Sequence, residues 1–182
     1  MLKLIDILDE RDKSLKRKSN NVVFPLSNDE KEMIKSMIIY LENSQIEDIA
    51  TKYSLRPGMG LAGVQVGINK RFFVVVHEQE DGSFRYYTLV NPKIVSTSEE
   101  LIYADGGEGC LSINREVIGI VPRHARVTIE GFDENGNYVK YRGREELSIA
   151  FQHEMDHLDG ILFPDKINKS NPFKGKNNMR GI

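Results

Sequence analysis

Arg144-Glu145-Glu146-Leu147-Ser148-Ile149-Ala150-Phe151-Gln152-His153-Glu154-Met155-Asp156-His157-Leu158-Asp159-Gly160 reads as one amphipathic helix. It starts near Arg144 and stops by Gly160, a residue suited to a left-handed cap. On a helical wheel Ile149, His153, His157, Ala150, Glu154, Leu147, Leu158 and Phe151 follow one continuous arc. Glu145, Gln152, Asp156, Asp159 and Ser148 take the opposite, solvated side, with Met155 at its margin. His153 and His157 are four residues apart and stack on one face, so both imidazoles can reach one divalent metal. Glu154 lies about 100° round the helix from His153, where a general base for a metal-bound water belongs. An unpaired glutamate on an inward arc would be costly. The bland alternative is two core histidines bonded to backbone and a glutamate held by an arginine.

Upstream of this helix the period is that of strands. Phe72 to Val76 is apolar and β-branched, Asp81-Gly82 marks a turn, and Phe84 to Val90 answers it. Pro92 to Ser96 and Val117 to Val121 read as further short strands. Arg126 to Phe132 turns through Asn135-Gly136, a type I′ hairpin dipeptide, into Tyr138 to Arg142. Nearer the start, Leu4, Ile5, Ile7 and Leu8 suggest a short helix. Ser27-Asn28-Asp29-Glu30 is a capping box, followed at helical spacing by Met33, Ile34, Met37, Ile38 and Leu41. Ser44 to Leu55 reads as a shorter helix or an insertion. After the last helix Pro164 excludes an immediate return to helix, and the polar tail from Lys166 to Ile182 is either disordered or laid over the domain. Helices, then short strands, then one helix predict an α+β fold, with antiparallel sheets packed around the helix of the two histidines.

The 182 residues suit one domain over 1–182, and 40% hydrophobic with 29% charged residues is ordinary for a soluble protein. A net charge of −2 argues against direct nucleic-acid binding. The basic run from Lys13 to Lys18 reads as a solvated face. Leu2 to Leu8 is too short and polar for a signal peptide, and no stretch reaches the ~20 apolar residues of a membrane span. A single cysteine, Cys110, suits a reducing cytoplasm.

Two histidines leave a catalytic metal site short of a third protein ligand. The candidates are Cys110, His77, His124 or a carboxylate, and Cys110 offers a strong soft donor for zinc or ferrous iron. A cysteine nucleophile paired with one of the histidines is the weaker alternative, since it gives His157 and Glu154 no role at their spacing. In Gly58-Met59-Gly60-Leu61-Ala62-Gly63-Val64-Gln65-Val66-Gly67 four glycines exclude a regular element throughout, and close backbone approach suits the wall of a peptide cleft.

Three stretches together resemble the motifs of the peptide deformylase family: Gly58 to Gln65, Glu108-Gly109-Cys110-Leu111-Ser112, and Gln152 to His157. They stand in that family's order and span nearly the whole chain. The segment from Ser44 to Leu55 resembles the longer, type II branch of Gram-positive bacteria. The resemblance implies that Cys110, His153 and His157 bind one divalent metal, natively Fe2+, with Zn2+, Ni2+ or Co2+ accepted. It implies that Glu154 moves the proton, and that the Gln65 amide and Leu111 N–H hold the oxyanion. Met59, Gly60 and Gly109 would offer backbone groups to an extended N-formyl-Met peptide, and Ile149 and Ala150 would line its methionine pocket. A cytoplasmic monomer is implied, with ribosome association left open. An ion pair between Glu108 and Arg123 would support the cysteine loop. The family usually has alanine where this chain has Gly63, and losing that methyl should loosen the segment slightly. An HExxH metalloprotease shares metal and base but draws its third ligand from further along the chain, where only Asp159 and Asp165 are candidates. A catalytically silent protein of the same fold would have lost Glu154 or a ligand, and all are present.

Overall fold

In the computed structural model, which describes residues 6–182, a five-stranded sheet is packed by a helix on each face. In chain order the elements begin with α1 (Asn28–Gln45), α2 (Glu47–Tyr53), β1 (Gly60–Ala62), β2 (Phe72–Glu78), β3 (Phe84–Thr97) and β4 (Leu101–Tyr103). They continue with β5 (Arg123–His124), β6 (Arg126–Phe132), β7 (Tyr138–Arg144), α3 (Glu145–Leu158), α4 (Phe163–Lys166) and β8 (Arg180–Gly181). The large sheet runs β1-β2-β3-β6-β7, antiparallel throughout. The small one runs β5-β4-β8.

Strand β2 shows why the chain folds this way. Its side chains alternate faces. Phe72, Val74 and Val76 pack with Ile34, Met37, Tyr40 and Leu41 of α1, while Phe73 and Val75 pack with Leu147, Ala150, Phe151 and Leu158 of α3. A strand covered on both sides must be apolar at every step, which is the run seen in the sequence. The Ser27 capping box forms as expected, Glu30 donating its backbone N–H to Ser27 Oγ and accepting from the Ser27 N–H.

The α+β arrangement around α3 is observed, with several corrections of detail. The small sheet is not purely antiparallel, because β8 pairs parallel to β4. Pro92 to Ser96 is not separate; it continues β3 past an irregularity where Asn91 has φ 51°. Val117 to Val121 forms no strand, since Gly119 turns at φ 137° and the Ile120 N–H bonds to Pro172 O in the tail. The β6–β7 connection is no two-residue turn. Asp133 accepts from the Asn135 and Asn137 N–H groups, and only Gly136 takes positive φ, giving a longer loop. Pro164 sits inside the first turn of α4, where its missing N–H costs nothing. Ser148 and Gln152 are buried rather than solvated, because β5 covers that side of α3: both side chains donate to His124 O. The expected helix at Leu4 to Leu8 falls partly outside the described residues. Ile7 and Leu8 pack on the core without forming α-helix, and a one-turn 3-10 helix follows at Lys13–Lys16, burying Leu15 under its exposed lysines. The tail lies over the domain, adding β8 to the small sheet.

At Gly63 the expected loosening is absent. A Cβ there would stand 2.7 Å from the Phe72 ring, so the ring fills the space of the missing methyl. Gly63→Ala is expected to lose about 1–3 kcal/mol by overpacking. Adding Phe72→Leu should recover part of it, both read by urea denaturation. A neutral single variant would mean the ring moves aside without strain.

Candidate active site

Helix α3 brings His153 and His157 to one face with ring centroids 5.0 Å apart, both buried. Cys110 comes from the segment before β5, its Sγ 3.3 Å from His157 Nε2. One donor atom from each of Cys110, His153 and His157 lies within 4.8 Å of the others. His77 and His124 stand apart from this group: His77 Nδ1 contacts the Gln79 amide, and His124 Nδ1 contacts Ser98 O. Asp159 and Asp165 are engaged elsewhere, by Arg71 at 2.8 Å and by Lys16 at 2.5 Å. The third donor atom grouped with the two histidines therefore comes from upstream of the helix, not downstream.

Behind the donors is a web of charge. Arg123, only 1% exposed, meets Glu108 at 2.7 and 2.9 Å through two nitrogens and Asp156 at 2.5 Å through the third. Glu108 Oε2 also accepts from His153 Nδ1 at 2.9 Å, which leaves Nε2 of that ring as its remaining donor atom. The expected Glu108–Arg123 pair is thus present, and the carboxylate fixes a histidine tautomer as well. Burial opposes charge on His153, but Cys110 and Glu108 outweigh it and raise its pKa well above the usual value. Burial and the charge of His153 push His157 well below it.

Glu154 is 3% exposed, and its Oε2 has no partner among the described residues. Burial raises its pKa to about 7, against the pull of His153 and Arg123. Such a carboxyl can take and return a proton near neutrality. Gln65, also buried, is oriented by the Ala62 N–H, which donates to Oε1 at 2.9 Å. Its Nε2 then faces Ser112 Oγ at 3.1 Å and Cys110 Sγ at 3.7 Å. The Leu111 N–H has no acceptor among the described residues.

These groups border a cavity of about 330 Å³. Met59, Gly60, Gln65, Gly109, Cys110, Leu111, Ile149, Ala150, His153 and Glu154 all line it, while His157 lies behind them. Strand β1 is the sheet's edge. The Met59 carbonyl accepts from Val76 N, so by alternation Gly60 turns its backbone groups to the open side. A Cβ on Gly60 would approach the Glu154 carboxyl carbon to 2.8 Å, which requires glycine there. Arg56, Glu146 and Ile182 also line the cavity, and sequence reasoning missed all three. Arg56 stood beside the first glycine stretch without a signal of its own. Glu146 stands in the first turn of α3, where a carboxylate suits the helix N-terminus and draws no notice, and Ile182 reaches the site only because β8 joins β4.

Comparison with known proteins agrees with this geometry. The family model described as polypeptide deformylase matches residues 4–173. The chain belongs to that family. A peptide deformylase of Listeria monocytogenes is 48% identical over 173 residues, 94% of each chain. One from Oceanobacillus iheyensis is 47% identical over 182 residues, the full length of both. The solved peptide deformylase of Thermus thermophilus superposes with a TM-score of 0.73 at 31% identity, covering 91% of this chain and 86% of that one. The chain is a metal-dependent hydrolase that removes the N-terminal formyl group of nascent polypeptides, of the Gram-positive-like type II branch. No helix among the described residues is long and apolar enough to cross a membrane.

The Glu108 web makes a pH-dependent prediction. Burial raises this carboxyl's pKa, but the Arg123 and His153 bonds outweigh it and hold the value to about 2, against 4.5 for a free glutamate. A depressed carboxyl stabilises the fold above its unfolded pKa and loses that contribution as pH falls through the folded one. Glu108→Gln should therefore cost about 3 kcal/mol at neutral pH and flatten the decline in stability on acidification. Denaturation at a series of pH values reads this. An unchanged acid slope in the variant would remove Glu108 as its source.

Proposed function

We propose that Cys110, His153 and His157 hold the divalent metal and that Glu154 is the general base for deformylation. The observation that carries this is the meeting, beside the cleft, of one thiol, two imidazoles and a buried carboxylate oxygen with no partner among the described residues. The donor set fits a borderline-soft ion such as Fe2+, Zn2+, Ni2+ or Co2+, and Fe2+ is our reading of the native one. Bound there, such an ion supplies Lewis-acid activation of a water near neutral pH.

The remaining work falls to the chain's own groups. Glu154 takes a proton from the attacking water and delivers it to the leaving α-amine, a double task suited to a carboxyl with a pKa of about 7. Gln65 Nε2 and the Leu111 N–H donate to the formyl oxygen as negative charge builds on it. The peptide adds as an extended strand against the edge of β1, using Gly60, with Gly109 on the facing wall. Met59 contributes its side chain, because its carbonyl already serves the sheet. Ile149 and Ala150, one turn before the histidines, present apolar surface to the methionine side chain. Support for this over an internal-bond protease is the position of Cys110 before the helix and the engagement of Asp159 and Asp165 by cations. We read residues 1–182 as a single catalytic domain acting as a cytoplasmic monomer. The lone cysteine supports the compartment, and the net charge of −2 speaks against direct nucleic-acid binding. Ribosome association would then rest on protein contacts.

Formate release from a formyl-Met peptide, assayed without oxygen, tests the reading. Glu154→Gln should lower kcat/KM by about 10²–10⁴-fold while metal content stays at the wild-type level. Undiminished turnover would sink the proton-transfer role. Cys110→Ser should lose bound metal on elemental analysis, and full occupancy would take Cys110 out of the ligand set.

A further inference from the structure

The turn that carries Cys110 and Leu111 is held by a side chain to which the proposed function gives no task. The Arg56 guanidinium donates to Cys110 O at 3.0 Å, Ile113 O at 2.9 Å and Leu111 O at 3.5 Å, and to Asn114 Oδ1. Ile113 N closes the turn onto Cys110 O at 3.1 Å. One planar cation thus gathers three carbonyls of one turn, a span that a fork of donors can cover and a single ammonium cannot. Leu111 itself lines the cavity, and its N–H has no acceptor among the described residues, so fixing these carbonyls fixes that free donor.

Arg56 is itself placed by buried groups. Its backbone carbonyl accepts from Tyr40 Oη at 3.3 Å, and the Gly58 N–H donates to Ser44 Oγ at 3.2 Å. Tyr40 and Ser44 are one turn apart on α1 and 0% and 1% exposed. Ahead of Arg56, Ser54 ends α2 in the left-handed region and Leu55 enters the core. Beyond it, Gly58 packs so closely on Leu111 that a Cβ would meet Leu111 Cδ1 at 2.8 Å. The stretch from Arg56 to Gly58 is therefore moulded to the turn.

We propose that Arg56 is a positioning residue: delivered by the end of α2, it sets the aim of the Cys110 thiol and the Leu111 N–H by clamping the carbonyls of their turn. This rests on the reading of Cys110 as a metal ligand and of Leu111 as an oxyanion donor. The test uses zinc-loaded protein titrated with a chelator, beside steady-state kinetics on a formyl-methionyl peptide. Arg56→Met should weaken zinc binding about 10- to 100-fold, the usual cost of losing a group that supports a metal ligand. It should also lower kcat with KM unchanged, and Arg56→Lys should restore only part of either. Wild-type zinc affinity with a raised KM would assign Arg56 to the substrate and overturn the inference. Cys110→Ser in the same titration separates the two readings. Zinc retained there defeats the ligand assignment; zinc lost there but held at wild-type affinity in Arg56→Met defeats only the role of Arg56. If Arg56→Met does not fold, Arg56→Lys takes its place, and wild-type zinc affinity in that variant overturns the inference.

Discussion

Arg123 is the constraint on which the rest of the site depends. A guanidinium this deeply buried is tolerable only with its charge matched and its donors engaged. Glu108 and Asp156 do both, and they reach it from different parts of the chain. Through this one cation the cysteine segment, β5 and α3 are tied together. Removing one member would leave an uncompensated buried charge, costing about 3–5 kcal/mol. The arrangement is better understood as a device for relative placement than as a source of net stability, since a well-packed apolar substitute could be as stable. It could not, however, hold His153 Nδ1.

The sheet supplies the second half of the site. Because β2 is buried on both faces, β1 beside it has a rigid partner on one edge and the cleft on the other. Glycines appear where backbone or ligand-facing side chains come too close for a Cβ: Gly58 under Leu111, Gly60 beside Glu154, Gly63 against Phe72. The last of these shows that residue size at one position is judged against its neighbour. A glycine in place of the family's usual alanine leaves no cavity when an aromatic ring occupies the space.

The chemistry then follows from unequal surroundings. His153 has a carboxylate on its far nitrogen and a thiol nearby, whereas the far nitrogen of His157 has no partner among the described residues. Glu154 is buried without a cationic partner in hydrogen-bond reach among the described residues, so its pKa rises to about 7, while Glu108, whose side chain is also little exposed, is held near 2 by Arg123 and His153. Two carboxylates within one site thus differ in kind, one fixed in charge and one able to exchange a proton near neutrality.

The amino-acid order by itself determined the elements whose signals are local. The capping box and apolar spacing of α1, the run of β2, and the placing of His153, His157 and Glu154 on the inner arc of α3 are consequences of helix and strand periods. The grouping of Cys110 with His153 and His157 was legible because thiol and imidazole are specific donor types, and Cys110 stood out as the only cysteine. Tertiary structure alone decided what depends on pairing across distance. Ser148 and Gln152 look solvated on a wheel until β5 covers them, and Val117 to Val121 loses its strand when Gly119 turns and the tail takes the Ile120 N–H. Ile182 enters the cleft wall through a parallel pairing that no local pattern announces, and Arg56 gains its role from three carbonyls over fifty residues away. Periodicity records which face of an element is buried only when one partner covers it. Where several elements converge on the same helix, the covering set is a property of the fold.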